Sequence, residues 1–454
     1  MILKRQQPRF EGCTCTGVGE TSGAFVTPNQ SRWRQPADPP CQYVTGLAPG
    51  ALKSALRRLC HARCTVLGFV MAFLSGLPDA QSEVPVAGPN ATAIAVVGES
   101  GVRSVRRQEV FPPLAALPPV PVPADNPITP AKVKLGRMLY FDKRTSGDTD
   151  ISCASCHDPN KGWGDELDIS TGYPGTRHWR NGNTVVNSAY LQKLFWAGES
   201  TSLESQAKSA ITGNLAGNGD PVMIEERLAQ IPEYVRLFKE AFGVDRPSFP
   251  LVLRAIATFE RAEVISDDSA FDRYMRGDRS AMSEAAVRGM TLFQGKAGCI
   301  QCHNGPLLTD EKHHNTGVPE NPVFKENHFA QIALRYQHYI RGVPEDLYRK
   351  ADKDLGLYYT TKREADKGKF RTPPLRYLTY TFPYMHNGVF LVLEEVIDFY
   401  DEGGGDGPRK SPLLRPLGLS DQEKEDLVEF LNSLSGSELK MEAPELPPYV
   451  PTEK

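Results

Sequence analysis

The sequence has almost no cysteine to spare. Of its nine cysteines, Cys13, Cys15, Cys41, Cys60 and Cys64 precede the first stretch with a folding pattern, and the other four fall in two short motifs. No pair is left over for a disulfide in the body of the chain, although a body without spare thiols suits an oxidising compartment. Charge of one sign is missing too. The 52 Lys and Arg stand against 55 Asp and Glu, a formal net charge of -3, and they are not clustered by sign. Nucleic-acid binding therefore has no electrostatic footprint. Long apolar runs are absent after Leu77, so no later stretch is expected to span a bilayer. A chain of 454 residues has room for roughly two to three domains.

What stands in place of a disulfide framework is Cys153-Ala154-Ser155-Cys156-His157 and Cys299-Ile300-Gln301-Cys302-His303. The C-x-x-C-H spacing is that of c-type haem attachment. Two thiols so spaced can each form a thioether with one haem vinyl group, and the histidine that follows is held beneath the porphyrin as proximal iron ligand. A single copy would also fit part of a zinc site or a thiol-redox pair. Two copies, each followed by a loop-forming Asp158-Pro159 or Asn304-Gly305-Pro306, point to two covalently bound haems.

The rest of the chain organises itself around these motifs. Lys53, Arg57, Arg58 and Arg63 precede an apolar run from Thr65 to Leu77, with small and polar residues around Asp79-Ala80-Gln81. That order is expected of a secretory signal near 51–80 and implies a periplasmic location; the run is short for a membrane anchor. Residues 1–82 are read as an N-terminal extension plus this signal, and 83–127 as a Pro-rich lead-in. Thr129-Pro130 predicts a helix start, with Ala131, Leu135, Met138 and Leu139 on one face. Ser283 predicts a second, with Ala286, Met290 and Phe293. Leu135-Gly136-Arg137-Met138-Leu139-Tyr140 and Arg288-Gly289-Met290-Thr291-Leu292-Phe293 form a weak internal repeat just before each motif. Two cytochrome c-like haem domains are expected, over 128–278 and 279–440, with a tail over 441–454. Pro221 to Phe242 and Phe249 to Met275 read as helices, and Ser420-x-x-Glu423 as a capping box opening a last one. The expected fold class is mainly α with long loops.

With these features in view, the chain resembles the bacterial di-haem cytochrome c peroxidase and MauG family from about Pro127 to Gly436. The resemblance rests on Leu135 to Asp142, Arg180-Asn181 with Asn187, Leu194-Phe195-Trp196-Ala197-Gly198, Pro373-Pro374-Leu375-Arg376 and Pro383-Tyr384-Met385-His386-Asn387-Gly388. It implies a peroxide-reactive haem with His157 as proximal ligand and an electron-transfer haem with His303. It implies that Trp196 relays electrons between the haems, although a lone tryptophan would otherwise be read as core packing. Gln206 matches the family's distal-pocket glutamine. Asn181, Thr381 and Pro383 match residues around an inter-haem calcium, where an amide oxygen and backbone carbonyls suit a hard cation.

Three departures bear on the subtype. The position at which the family's peroxidases carry a methionine ligand to the second haem falls on Tyr400, as in MauG proteins. Thioether ligation raises a haem potential, whereas a phenolate stabilises oxidised iron; the plain alternative is a tyrosine ending a helix. Second, where the peroxidases carry a blocking histidine after Ser-x-Gly, Ser170-Thr171-Gly172 is followed by Tyr173, with His178 nearby but out of register. Third, the distal glutamate is expected at Ala216, which leaves the acid/base group unassigned.

The resemblance thus implies an oxidoreductase using hydrogen peroxide, MauG-like, whose high-valent di-haem state oxidises a partner protein. One alternative is a detoxifying cytochrome c peroxidase fed by a small cytochrome or cupredoxin. Another is a non-catalytic electron-transfer protein, which Ala216 favours. His313-His314, the Gly403 to Gly407 run, Glu394-Glu395 and the Lys- and Asp-rich 350–369 stretch are expected to be surface, flexible connection or solvated faces.

Overall fold

The internal repeat turns out to be a packing device. The Pro130–Phe141 helix lies against the Phe249–Glu263 helix, and Glu284–Gln294 lies against Asp421–Ser433. Each crossing is made at the repeat's glycine. A Cβ on Gly136 would stand 1.9 Å from Ala255 O, and one on Gly289 1.8 Å from Asp426 O. Only a residue without a side chain lets the backbones approach this closely. Tyr140 and Phe293 occupy matching places in the two copies and both touch the motif that follows. The Tyr140 hydroxyl donates to His157 O at 3.0 Å, and the Phe293 ring centroid lies 6.5 Å from that of His303.

The structure is a computed structural model that describes residues 110–449 apart from position 174, all of them within one compact unit. The expected signal near 51–80, the extension over 1–82 and residues 83–109 of the lead-in lie outside the described residues. The architecture is mainly α, as expected. Among the described residues the strands form two short antiparallel ribbons, Thr171–Gly172 with Thr176–Arg177 and His313–His314 with Phe370–Arg371. Most of the largest buried side chains fall into two clusters. One includes Leu135, Tyr140, Trp163 and Phe259; the other includes Phe271, Phe293, Phe430 and Leu431. Each such side chain contributes roughly 1.5–3 kcal/mol on burial. The chain crosses between them, since Tyr377 packs in the first cluster and its hydroxyl accepts from Leu439 N at 2.6 Å.

The expected helix starts are present with their caps. Thr129 accepts from Lys132 N at 3.4 Å, Ser283 from Ala286 N at 3.1 Å, and Ser420 exchanges bonds with Glu423 as a capping box. Two expected helices are each broken in two. Residues 221–242 divide into Pro221–Ala229 and Pro232–Phe242, because Pro232 has no N–H for the preceding turn and disfavours helix at the residue before it. Residues 249–275 divide into Phe249–Glu263 and Ala270–Met275. Here a distant partner replaces helical bonds. Asn187 N donates to Val264 O, and its side chain both accepts from Ser266 N and donates to Ser266 O, at 2.9–3.0 Å. Ser269 then caps the next helix.

The 350–369 stretch is not simply a solvated face. Asp354 is ion-paired to Arg180 at 2.6 Å, and Asp366 is buried. Arg376, from the Pro-Pro-Leu-Arg motif, is buried against Asp272 at 2.6 Å and also donates to Pro306 O and Ala115 O. Removing one partner of such a buried pair costs about 3–5 kcal/mol, so this residue holds the second core to the N-terminal lead-in.

Candidate active site

Both motifs open on one cavity. Its wall includes His157 from the first motif and Cys299, Cys302 and His303 from the second, together with Trp196, Gln206 and Tyr400. Cys153 and Cys156 lie just outside this wall on their own short helix, Cys153 packing against the first core. Burial pushes the His303 imidazole down to about 4 and the His157 imidazole downward as well, so both are neutral and able to ligate. His303 Nδ1 lies 2.9 Å from Leu308 O. A carbonyl can only accept, so Nδ1 carries the proton and Nε2 offers its lone pair as a proximal ligand must. His157 Nδ1 has no partner in hydrogen-bond geometry, an orphaned position beside a cavity that a ligated haem would fill.

On the first-motif side, Gln206 projects from the Leu203–Thr212 helix into the wall. Ala216 lies in the loop beyond and does not reach it, so that loop supplies no carboxylate there. A carboxylate does arrive from another helix. Glu260, 5% exposed, lines the cavity from Phe249–Glu263 and accepts from Ser188 Oγ at 3.3 Å. Burial pushes its carboxyl up to about 7, with Ser188 and Arg261 pulling the other way. Glu260 is not among the residues expected from the sequence. Its signal was an acidic residue following Leu253, Ile256 and Ala257 on the apolar stripe of a helix, where an unpaired charge has no structural reason to be. Tyr173 and His178 are not in the wall. The Tyr173 hydroxyl donates to Asp148 at 2.7 Å, and His178 stacks on Trp179 with ring centroids 3.8 Å apart.

On the second-motif side, Tyr400 enters the wall from the Leu393–Asp401 helix. Burial pushes its hydroxyl well above the ordinary tyrosine range, opposed by a hydrogen bond with Thr316. The glycine run that follows is no flexible connection. Gly405 N donates to Thr316 O at 3.0 Å, and a Cβ on Gly405 would stand 1.8 Å from Gly317 O. This close approach fixes Thr316 beside Tyr400. Nor are His313 and His314 surface residues, because the ribbon with Phe370–Arg371 turns them inward. His314 lines the cavity 3.6 Å from Cys302 Sγ and 3.4 Å from Asp310, and these bonds raise its imidazole to about 9. Cys302, Asp310 and His314 are near enough to share a cation, but Cys302 belongs to the haem motif and the trio is part of that site.

Trp196 lines the cavity between these elements and is held from both halves of the chain. Its Nε1 donates to Asn181 O at 2.9 Å, and its carbonyl accepts from Arg371 N at 2.8 Å. Arg371 Nε adds a bond to Phe195 O at 3.1 Å, and His313 Nε2 lies 3.0 Å from Ala197 O. The His386 ring meets Trp196 edge-on at 6.3 Å and is itself stacked on Phe370 at 3.7 Å. Asn181, Thr381 and Pro383 line the same cavity. Asn181 Nδ2 is spent on Leu167 O at 2.8 Å, which turns Oδ1 to the other side.

A family model described as di-haem cytochrome c peroxidase matches residues 130–280. A cytochrome-c peroxidase, IdrP1 of Pseudomonas sp. (strain SCT), is 54% identical over 76% of this chain and 91% of its own. The methylamine utilization protein MauG of Methylorubrum extorquens is 36% identical over 72% of this chain and 85% of its own. Among solved structures, a MauG-like protein associated with microbial copper homeostasis superposes with a TM-score of 0.60 at 33% identity, covering 71% of this chain and 95% of that one. Membership implies two c-type haems, and the paired motifs, neutral histidines and shared cavity are what two such groups need. The chain belongs to the di-haem cytochrome c peroxidase and MauG family of oxidoreductases.

Proposed function

We propose that this enzyme reacts with hydrogen peroxide in its fully oxidised resting state and draws the balancing electrons from a partner protein, as a MauG-like member of its family. The observation that carries this reading is Tyr400, half-buried in the same cavity wall as His303, where a phenolate ligand would favour oxidised iron as a thioether does not. Bound at the two motifs, the haems supply peroxide activation and electron storage. His157 and His303 would hold them as proximal ligands, and Gln206 would position peroxide or water at the first. Glu260 takes the missing glutamate's part, accepting the first peroxide proton and returning it to the departing oxygen. Trp196 carries electrons between the halves. Asn181 Oδ1 with the carbonyls of Thr381 and Pro383 offers a hard cation such as calcium three oxygens. The domain division at about residue 279, the periplasmic location and the class of partner (a small cytochrome, a cupredoxin or a protein being modified) belong to the same reading.

The second reading is a detoxifying peroxidase, favoured by relatives named cytochrome-c peroxidase and cytochrome c551 peroxidase. One titration separates the two. Equimolar peroxide added to the fully ferric protein should abolish both ferric electron paramagnetic resonance signals and produce a new near-infrared band. Tyr400→Met should remove the band. A protein inert until one haem is reduced belongs to the second reading.

A further inference from the structure

Next to the inter-haem tryptophan lies a second redox-capable side chain that neither motif accounts for. Tyr359 is 1% exposed and shares a small buried cluster with Ala197, the residue after Trp196. Its hydroxyl donates to Glu199 Oε1. The other oxygen of that carboxylate, Oε2, is buried and has no hydrogen-bond partner among the described residues. The Arg180 guanidinium lies over the Tyr359 ring at 4.9 Å and over the Phe370 ring at 5.5 Å. Phe370 is cavity wall, stacked on the His386 ring that meets Trp196. A continuous series of side-chain contacts therefore joins Tyr359 to the space between the two motifs.

The charges around this phenol constrain what it can do. Arg180 faces it directly and is neutralised mainly by Asp354, at 2.6 Å, and by Glu199 at 3.5 Å. His338, fully buried and with neither ring nitrogen bonded, lies 5.9 Å away. A buried tyrosine under a guanidinium cannot hold a positive charge, so an electron leaves it only if its proton leaves too. Glu199 is already in place as acceptor. Most buried carboxylate oxygens are satisfied, and the open Oε2 leaves this carboxylate room to take up a proton.

We propose that Tyr359 and Glu199 form a proton-coupled electron relay that supplies an electron to the oxidised haem pair by way of Trp196. The inference rests on the peroxide reaction proposed above, which provides the oxidant. One electron passes from the Tyr359 phenol to the peroxide-oxidised haem pair. The O–H bond breaks, and the proton bonds to Glu199 Oε1. A neutral tyrosyl radical and a neutral carboxylic acid result, so the net charge of the pair rises by one as the haem pair's falls by one. An electron from the protein reductant then reforms the phenol as Glu199 gives the proton back.

The test is freeze-quench electron paramagnetic resonance after one equivalent of peroxide is added to ferric holoprotein, with and without ring-deuterated tyrosine. The relay requires a transient radical whose hyperfine structure narrows on deuteration. It should be lost in Tyr359→Phe and form at least tenfold more slowly in Glu199→Gln, both checked for a full haem complement. A tyrosine radical that persists in Tyr359→Phe would overturn the assignment. Ferric signals lost with no tyrosine radical would overturn the relay while leaving the peroxide reaction standing. Ferric signals untouched by peroxide would overturn both. Should Tyr359→Phe fail to take up haem, the labelled wild-type protein and Glu199→Gln decide the matter.

Discussion

The two motif regions share a plan and part company at the side chains that line the cavity beside each histidine. Each begins with a capped helix that crosses a longer helix at a glycine, Gly136 over Ala255 and Gly289 over Asp426, and each presents an aromatic side chain to its motif. At the first motif the cavity wall offers Gln206 and Glu260, side chains suited to binding and protonating a small molecule. At the second it offers Tyr400, suited to binding iron. The histidines differ as well: Leu308 O lies 2.9 Å from His303 Nδ1, whereas His157 Nδ1 has no partner in hydrogen-bond geometry among the described residues. On the proposed reading, one scaffold makes a reactive centre and a storage centre by changing a few wall residues.

Removing one centre at a time breaks the comparison most severely. Cys299→Ala with Cys302→Ala should lower covalent haem from two to one per chain by pyridine haemochromogen assay. The remaining centre should still bind cyanide but form no shared oxidised state with peroxide. The matching change at Cys153 and Cys156 should abolish cyanide binding.

Altering the acid/base group should come next in size. Burial holds the Glu260 carboxyl up at about 7, so it is protonated and unable to accept a proton below that value. The peroxide reaction should therefore slow as pH falls through about 7. Glu260→Gln should remove this limb and slow the reaction about 10²–10⁴-fold. Stopped-flow rates across pH read both, and an unchanged profile would return the role to water held by Gln206.

Calcium should matter least. Chelation, or Asn181→Ala, is expected to slow electron exchange between the haems several-fold while leaving each haem's own spectrum in place. Added calcium should reverse the effect of chelation but not that of the substitution. Equal loss in both haem spectra would instead mark these residues as a structural hinge.

Much of the helical framework could be read directly because its signals are local. Thr129, Ser283 and the Ser420–Glu423 box cap helices with bonds that reach no more than three residues. The breaks were harder. Pro232 was legible as a helix breaker and was passed over, but nothing near Val264 indicates that Asn187, 79 residues before Ser266, takes over its hydrogen bonding. The Gly403 to Gly407 run and His313-His314 were misread for the same reason. Their partners, Gly317 and the 370–371 strand, lie elsewhere in the chain.

The covalent chemistry of this protein is written in its linear order, since the reach from Cys to Cys to His is set by a few bonds and survives any packing around it. The same holds for the helix starts and for the tyrosine at position 400. Which side chains meet across the cavity is another matter. Glu260 reaches Ser188 over 72 residues, and Tyr359 reaches Glu199 over 160. Such pairs exist only because helices from distant parts of the chain close on one another, and no spacing rule encodes them. The haem motifs are therefore local facts, whereas the groups proposed to move protons and electrons around them are products of the fold.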